Sequence, residues 1–321
     1  MAEISPNLGL SLIRVTEAAA LVAGRYMGLN QPDKADHFAT QAMANAFAAL
    51  NIEGHVVIGE ETKLGIHSPL DSGSRVGNGN GPAMDVVLDP VDGTQLLASG
   101  HSDAISVVGI AQRGAMWNPY PAAYMEKIVV ARDAADVLVP ECLDAPAAWT
   151  LALIARAKEK KIRDLLVFVL DRPRHQDLIE EIRTAGARVM VRDQGDIAGT
   201  LMAVTQTVNI DVMMGIGGVP EGVISACAVR CFGGAMLGRL APQTEEEKNA
   251  VQDAKLDPQR ILNAKEMVSG NHVFFAATGI TDGILLSGVR YHGEWAQTES
   301  IVGRSQTGTR RIIYAEHRLT D

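Results

Sequence analysis

The sequence predicts an α/β protein built from two domains, and three observations lead to this class. The chain has 321 residues, about twice the length of an average domain. Apolar residues make up 47% of it, enough to form sizeable cores. In the second half, short aliphatic runs alternate with stretches of helical periodicity, which is typical of parallel βαβ units. We therefore expect an N-terminal domain over residues 1–135 and a C-terminal domain over residues 136–321.

The N-terminal domain is predicted to begin with two helices. Apolar residues at helical spacing indicate a helix over 8–28, and Pro32 is expected to break it. Asp36 then becomes the N-cap or first-turn residue of a second helix that continues to about Leu50. The glycine-rich stretch 73–81 is predicted to be a loop. Aliphatic runs bounded by glycine, proline or charge predict strands at 55–59, 84–88, 105–111 and 128–131.

The C-terminal domain shows the alternating pattern most clearly. Helices are predicted over 146–161, 174–185, 195–204 and 220–232, and strands over 165–170, 187–192 and 210–215. A charged segment over 241–267 indicates a solvated helical insertion. Strands are expected to return at 273–277, 288–302 and 309–315.

Charge and cysteine content exclude several classes of function. Lys and Arg number 29 against 38 for Asp and Glu, and the net charge of −9 argues against a nucleic-acid binder. It does not argue against phosphorylated substrates, because a bound metal ion can supply positive charge locally. Three cysteines are too few for a disulfide framework and indicate buried thiols in a reducing compartment. No membrane span or signal peptide is visible, so we expect a cytoplasmic protein without membrane or nucleic-acid partners.

Acidic residues follow two predicted strands of the N-terminal domain. Glu60 and Glu61 come directly after one aliphatic run, and Asp89 and Asp92 come after the next. The proline and glycine between Asp89 and Thr94 force a sharp turn that aims both aspartates the same way. Because hard divalent cations take oxygen ligands, Glu60, Asp89 and Asp92 could bind two or three such ions. Thr94 begins the next element, where it could face a phosphate or an attacking water. The alternative is that both motifs are ordinary acidic turns.

Two further clusters, in the C-terminal domain, indicate anion binding. The glycine-rich motif 215–222 joins a predicted strand to a helix, and free N–H groups at a helix start can hold a phosphate. Glu221 of this motif can reach a cation. Arg172, Arg174 and His175 open another helix, where basic residues gain nothing from the helix dipole and a bound anion would explain them. The alternatives are a tight structural turn and solvated surface arginines.

The order of the motifs carries a resemblance to a known family. The sequence holds GEE at 59–61, DPVDGT at 89–94, YMEK at 124–127, RPRH at 172–175 and GIGGVPEG at 215–222. In this order they resemble the class II (GlpX-type) fructose-1,6-bisphosphatases, within the lithium-sensitive, metal-dependent phosphatase superfamily, along nearly the whole chain. The resemblance implies a layered α-β-α-β-α sandwich, with a metal-binding N-terminal domain and a substrate-binding C-terminal domain. It also implies a homodimer or homotetramer.

A two-ion metal centre is implied by the same resemblance. Asp36 and Glu60 would hold one divalent ion, and Asp89, Asp92 and Glu221 would hold the other, with Mg²⁺ or Mn²⁺ as the cofactor. Such ions neutralise the phosphate, lower the pKa of a bound water and stabilise the leaving oxygen.

Roles in catalysis and substrate binding are implied in the same way. Thr94 would orient the attacking water together with a neighbouring carboxylate, Glu61 or Glu60. Asp92, Gly93 and Thr94 would contact the phosphate that is removed. The sugar and its retained phosphate would be bound by residues of the branch-specific motifs: Tyr124, Arg172, Arg174, His175, Gly195, Asp196 and Gly218.

Three hypotheses for the function are open at this point. The first is a metal-dependent phosphatase that removes the 1-phosphate of fructose 1,6-bisphosphate, with sedoheptulose 1,7-bisphosphate as a plausible second substrate. The second is an inositol-monophosphatase-like enzyme. The basic cluster 172–175 distinguishes the first hypothesis from the second, because only a bisphosphate needs a second anion site. The third is a sugar-phosphate-binding protein with weakened catalysis. Lys34 and Gln194 suggest it, since they depart from the family pattern, as do Leu64 and Pro82.

Overall fold

The computed structural model describes residues 4–59, 68–206 and 208–319. The chain forms two compact units, unit 1 (Met1–Met116 with Gly270–Asp321) and unit 2 (Trp117–Ser269). Each unit contains a β-sheet and helices, so the predicted α/β class with two units is confirmed. The units divide differently from the expected ranges 1–135 and 136–321. The reason is that a C-terminal strand over 274–279 pairs with the strand over 105–112, which returns the end of the chain to unit 1.

The elements of both units are as follows, in chain order. The described helices are α1 (Leu8–Ala23), α2 (Pro32–Phe47), α3 (Thr94–Ser99), α4 (Ala147–Ala157), α5 (Gln176–Thr184), α6 (Asp196–Thr205), α7 (Val219–Phe232), α8 (Glu245–Asp253) and α9 (Ala264–Met267). The described strands are β1 (Glu53–Ile58), β2 (Arg75–Val76), β3 (Ala83–Asp92), β4 (Ile105–Gln112), β5 (Tyr124–Val130), β6 (Leu166–Leu170), β7 (Arg188–Arg192), β8 (Val212–Gly218), β9 (Ala235–Leu240), β10 (Leu262–Asn263), β11 (Phe274–Gly279), β12 (Arg290–His292), β13 (Trp295–Arg304) and β14 (Thr309–Arg318).

Unit 1 is organised around an eight-stranded sheet. Its strand order is β12-β13-β11-β4-β3-β1-β2, with β14 paired to β13. β1 and β3 run parallel, and the other described pairs of this sheet are antiparallel. Leu12 of α1 and Phe47 of α2 share one buried cluster with Val86 of β3. The carboxyl end of β3, where Asp92 lies, is therefore held on a rigid, helix-covered sheet.

Unit 2 is organised around a six-stranded sheet with helices on both faces. Its strand order is β10-β9-β5-β8-β6-β7, and β6 runs parallel to both β7 and β8, as the βαβ pattern over 165–215 predicts. Leu151 of α4 and Ile179 of α5 pack with Ile128 of β5 on one face. Successive side chains of a strand point to opposite faces, and Lys127 bonds Asp196 at the start of α6. Hence α6 lies on the face opposite α4 and α5.

Two helical predictions need correction. Pro32 is the first residue of α2, a position at which the missing N–H of proline costs no hydrogen bond. Gln31 is consequently the N-cap, and Asp36 lies in the second turn of α2, half-buried, rather than at the N-cap or in the first turn. The segment 241–267 includes α8, β10 and α9, and Glu247 of α8 is buried rather than solvated.

Candidate active site

A tight acidic turn closes β3 in unit 1. The Asp89 Oδ1 atom accepts a hydrogen bond from the Val91 N–H at 2.9 Å, and the Thr94 hydroxyl donates to the Val91 carbonyl at 3.0 Å. Gly93 has a φ of +92°, in the left-handed region that glycine adopts without strain, and α3 begins directly after it. The motif therefore forms the irregular last part of β3, Asp89 to Asp92, followed by a turn at Gly93, and it holds Asp89, Asp92 and Thr94 on one backbone segment.

The carboxylates of this turn differ in burial. Asp92 is buried, whereas Asp89 is half-buried. Removing carboxylates from water is costly unless they are paired, hydrogen-bonded or bound to a metal. Their oxygen atoms are the hard donors that Mg²⁺ and Mn²⁺ prefer, so the chemistry of the turn fits such an ion.

Other proposed metal ligands have different positions. Asp36 lies on α2, which packs against both β3 and α3. Glu60, Glu61 and Leu64 lie outside the described residues. Within the described ranges, no group of three or more His, Cys, Asp or Glu side chains is arranged to hold a metal ion.

A buried ion pair lies at the centre of the site in unit 2. The Lys127 ammonium contacts the Asp196 Oδ2 atom at 2.6 Å, and both side chains are almost completely buried. Asp196 is the first residue of α6, and Gly195 before it has a φ of +90°. The second oxygen of Asp196, Oδ1, is buried and accepts no hydrogen bond from the described residues. Since a buried carboxylate oxygen is normally hydrogen-bonded, this atom is a candidate acceptor for a ligand hydroxyl.

The glycines at the end of β8 make room for two acidic side chains. A Cβ atom on Gly217 would coincide with the Asp196 carboxylate, and one on Gly218 would coincide with the Glu221 carboxylate. A larger residue at Gly217 would therefore displace the Asp196 carboxylate, and one at Gly218 would displace the Glu221 carboxylate. Close approach to Asp196 and Glu221, rather than a tight turn alone, explains this glycine pair. Glu221 lies in the first turn of α7, which begins at Val219 close to the predicted position.

Tyr124 and Arg174 form a stacked pair beside these glycines. Tyr124 is directly opposite Gly218 in the pairing of β5 with β8. The Arg174 guanidinium lies 5.1 Å from the centroid of the Tyr124 ring, and its Nη2 atom donates to the Ile216 carbonyl at 2.9 Å. Desolvation lowers the pKa of Arg174, although a guanidinium keeps its proton at neutral pH. The result is a positive charge held in fixed orientation. Arg172, which precedes the 3₁₀ turn Pro173–His175, donates to the neighbouring Asp171 carbonyl at 3.0 Å.

His175 is buried under this pair and is bound to the backbone at both ring nitrogens. Its Nε2 atom accepts the Ile216 N–H at 2.8 Å, and its Nδ1 atom lies 2.7 Å from the Leu170 carbonyl. Since Nε2 accepts, the proton of the neutral ring is on Nδ1 and is donated to Leu170. His175 therefore orients the segment that carries Ile216, while Arg174 bonds the carbonyl of the same residue.

The protonation of His175 is expected to make folding stability depend on pH. Desolvation is the main cause that lowers its pKa from the ordinary value of 6.5. As the pH falls, the unfolded chain takes up a proton at this histidine before the folded chain does. The contribution of His175 to the stability is therefore present above pH 6.5 and is lost progressively below it. We expect the urea concentration at the unfolding midpoint to decrease when the pH is lowered from about 7.5 to about 5.5, and to decrease less in His175→Asn. His37→Asn, at an exposed histidine of α2, is the control, and equal slopes for wild type and His175→Asn would contradict the assignment.

Two residues of this site are missed by motif reasoning. Lys127 stands in the quoted YMEK motif, but it receives no role there because a lysine in a strand is normally placed at the surface. The sequence feature that could have identified it is the run YMEKIVV, in which the three residues after Lys127 are all aliphatic, as in a buried strand. Glu247 of α8 accepts the N–H groups of Ala123 and Tyr124 at 2.8 and 2.9 Å. It fixes the start of β5 from 123 residues away along the chain, and no local pattern marks such a contact.

The structure thus places the proposed site residues in two groups, one in each unit. Unit 1 contributes Asp36, Asp89, Asp92, Gly93 and Thr94. Unit 2 brings together, around the carboxyl end of β8, the following residues: Tyr124, Arg174, His175, Gly195, Asp196, Gly218 and Glu221.

Two expectations drawn from composition can be compared with the structure. The thiols of Cys142, Cys227 and Cys231 are buried and belong to no disulfide, which confirms the prediction of buried thiols. Burial raises the pKa of Cys227 to about 12, which keeps this thiol protonated and unreactive at neutral pH. In the part of the chain that the structure describes, no helix is long and apolar enough to cross a membrane.

Comparisons with known proteins agree on one family. The family described as "Bacterial fructose-1,6-bisphosphatase, glpX-encoded" matches residues 6–317. A protein of Synechococcus sp. (strain JA-3-3Ab), named D-fructose 1,6-bisphosphatase class 2/sedoheptulose 1,7-bisphosphatase, is 37% identical over 97% of this chain and 95% of its own length. A protein of Synechococcus elongatus with the same name is 35% identical over 98% of this chain and 97% of its own length. With a match over nearly the whole chain, this protein belongs to the glpX-encoded bacterial fructose-1,6-bisphosphatase family.

Proposed function

We propose that this chain hydrolyses the 1-phosphate of fructose 1,6-bisphosphate, giving fructose 6-phosphate and inorganic phosphate, and is thus a phosphoric monoester hydrolase. The observation that carries the proposal is the arrangement in unit 2. There, the end of β8 is contacted both by a buried carboxylate of α6 with an open acceptor atom and by an arginine held over a tyrosine. These groups suit a sugar hydroxyl and a phosphate, respectively. The names of the relatives support the same substrate and add sedoheptulose 1,7-bisphosphate as a second one.

The retained phosphate is assigned to the basic residues of unit 2. Arg174 presents a permanent positive charge, and its bond to the Ile216 carbonyl prevents the guanidinium from rotating freely. Arg172 is proposed as a second cation for the same phosphate. His175 is given a positioning role, because both ring nitrogens already bind the backbone. The open Asp196 oxygen is proposed to accept a hydroxyl of the sugar.

The phosphate that is removed is assigned to the acidic turn of unit 1. The Thr94 hydroxyl donates a hydrogen bond to the Val91 carbonyl, so its lone pairs can accept a hydrogen bond from a water molecule and orient that water. Gly93 keeps the backbone between Asp92 and Thr94 clear of side-chain atoms. Glu61 or Glu60, outside the described residues, is proposed to assist in accepting the proton of the water.

The metal ligands stay part of the proposal. They are the five carboxylates Asp36, Glu60, Asp89, Asp92 and Glu221. A divalent ion, when bound, would neutralise the phosphate and lower the pKa of a coordinated water. The carboxylate donors suit Mg²⁺ and Mn²⁺ equally, so the choice between these two metals is tested rather than assigned.

The proposal is tested by phosphate release from fructose 1,6-bisphosphate with Mg²⁺ or Mn²⁺, against an EDTA control and against inositol 1-phosphate. Metal-dependent turnover of the bisphosphate, with little of the inositol phosphate, is the expected result. Turnover of inositol 1-phosphate alone would move the function to the monophosphatase branch. Turnover of neither substrate would favour a binding role.

The Arg174→Ala variant separates the two phosphates in the same assay. Loss of a charge-assisted bond is expected to raise KM for fructose 1,6-bisphosphate by about ten- to a hundredfold, and KM for a simple monophosphate far less. Arg188→Ala, at an exposed arginine of β7, is the matched control. Equal effects of Arg174→Ala on both substrates would mean that this arginine does not hold the retained phosphate.

Two further expectations are proposals of the same kind. A homodimer or homotetramer is implied by the family resemblance, and the cytoplasmic location rests on the composition of the sequence alone.

A further inference from the structure

One edge of the unit 1 sheet is a long unpaired strand. All ten residues of β14 pair with β13 on one side. Among the described residues, no strand pairs with the other side of β14. An edge of this length presents a row of backbone N–H and C=O groups that another strand can bind.

The two faces of β14 differ in what they contact. Ile313 packs against the buried cluster that contains α1 and α2, so the odd-numbered residues face the helices. The even-numbered residues lie on the opposite face, and there Ile312 is 43% exposed and Tyr314 is 76% exposed. Arg310 and Glu316 are two positions further out on the same face, one at each end. The exposed face therefore carries an apolar centre between opposite charges.

This order of residues is complementary to itself when reversed. A two-fold axis perpendicular to the sheet makes two copies of β14 antiparallel and keeps each face on its own side. One residue of β14 then faces its own copy across the axis, and we describe each register by naming this residue as the one on the axis. With Ile313 on the axis, Arg310 of each copy lies opposite Glu316 of the other, and Ile312 lies opposite Tyr314. Both pairings are of the types that stabilise antiparallel strands.

Neighbouring registers are less favourable. With Ile312 on the axis, Arg310 would face Tyr314, and no opposite charges would meet. With Tyr314 on the axis, Arg310 would face Arg318, and Ile312 would face a carboxylate. Like charges directly opposite each other destabilise a strand pair, so the sequence selects the register centred on Ile313.

We propose that β14 is an interface at which a second copy of this chain pairs, so that the unit 1 sheets of two copies form one continuous antiparallel sheet. Within one copy, the Gln297 side-chain amide donates to the Glu316 Oε1 atom at 2.9 Å. A carboxylate accepts several hydrogen bonds, so this contact orients Glu316 and leaves it able to bind Arg310 of the second copy.

Charge reversal in the full-length protein tests the interface, with the dissociation constant of the oligomer measured by sedimentation velocity. Arg310→Glu and Glu316→Arg each place like charges opposite each other twice per dimer and are expected to weaken association by about tenfold. The double variant Arg310→Glu/Glu316→Arg exchanges the charges and is expected to restore association to within about twofold. Arg311→Glu makes the same charge change on the other face of β14, opposite Ala315, and is expected to have little effect.

Each other result would overturn the proposal. A monomeric wild type, or an oligomer that the single reversals leave intact, would exclude β14 as the interface. Failure of the double variant to restore association would exclude the register.

Cross-linking gives a second readout that does not depend on charge. Ile313→Cys places two thiols opposite each other across the axis, within reach of a disulfide, and the native cysteines are buried. Mild oxidation is expected to give a covalent dimer with Ile313→Cys but not with Ala315→Cys, whose opposite residue is Arg311. Equal cross-linking of both variants would contradict the register.

Discussion

Replacing Asp89 by asparagine is expected to lower kcat for fructose 1,6-bisphosphate by about a thousandfold or more while leaving the fold intact. The amide keeps an oxygen that can accept the Val91 N–H, so the turn at the end of β3 is preserved. The negative charge is lost, and with it the attraction for a divalent ion, which contributes several kcal/mol to stabilising the transition state, equivalent to about a thousandfold in rate. Phosphate release at saturating metal measures the effect.

Asp85→Asn is the matched control for this prediction. Asp85 lies on the same strand, four residues earlier, and is buried. It pairs with Arg113 at 3.3 Å and accepts the Met116 N–H, both contacts within unit 1. We expect the control to lower the thermal stability and to leave kcat within about threefold of wild type. If Asp89→Asn kept more than about a tenth of the wild-type kcat, Asp89 would not be a metal ligand.

Replacing Lys127 by methionine is expected to lower the free energy of unfolding by about 3–5 kcal/mol. Methionine fills a similar volume, but it leaves the Asp196 carboxylate buried without its cation, and an unpaired buried charge costs far more than an exposed one. Urea unfolding followed by circular dichroism measures the loss. Lys248→Met breaks a solvated pair with Glu245 on α8 and is expected to cost less than about 1 kcal/mol.

A double variant separates the lost ion pair from lost packing. Lys127→Met/Asp196→Asn removes both charges and is expected to recover most of the stability, because replacing a whole buried pair is often nearly neutral. It is not expected to recover activity, since the proposed acceptor of the sugar hydroxyl has lost its charge. If the double variant were no more stable than Lys127→Met alone, lost packing of the lysine stem, rather than the unpaired charge, would be the source of the effect.

Local features of this protein were predictable from sequence, whereas features that depend on distant contacts were not. The turn at Gly93 and the start of α7 near Pro220 follow from glycine and proline, which act on the backbone within a few residues. Pro32 was misassigned because proline is compatible with both the end of one helix and the first turn of the next.

Residues whose role depends on a partner far along the chain carry no such local mark. Lys127 is buried because Asp196, 69 positions later, neutralises it, and periodicity does not report that distance. The division into units depends in the same way on the pairing of β11 with β4, which joins residues more than 160 positions apart. The βαβ pattern of unit 2 was predictable because its strands follow one another directly.

The path of the chain between the units also determines the order in which they can fold during synthesis. Unit 2 is one continuous segment, Trp117–Ser269, inserted between the two parts of unit 1. All of its strands leave the ribosome before β11, so unit 2 can fold while unit 1 is still incomplete. β4 pairs with β3 on one side, but until β11 is synthesised its other side has no partner strand and exposes backbone groups that other chains can bind. We therefore expect the nascent chain to be most prone to association with other chains while unit 2 is being made.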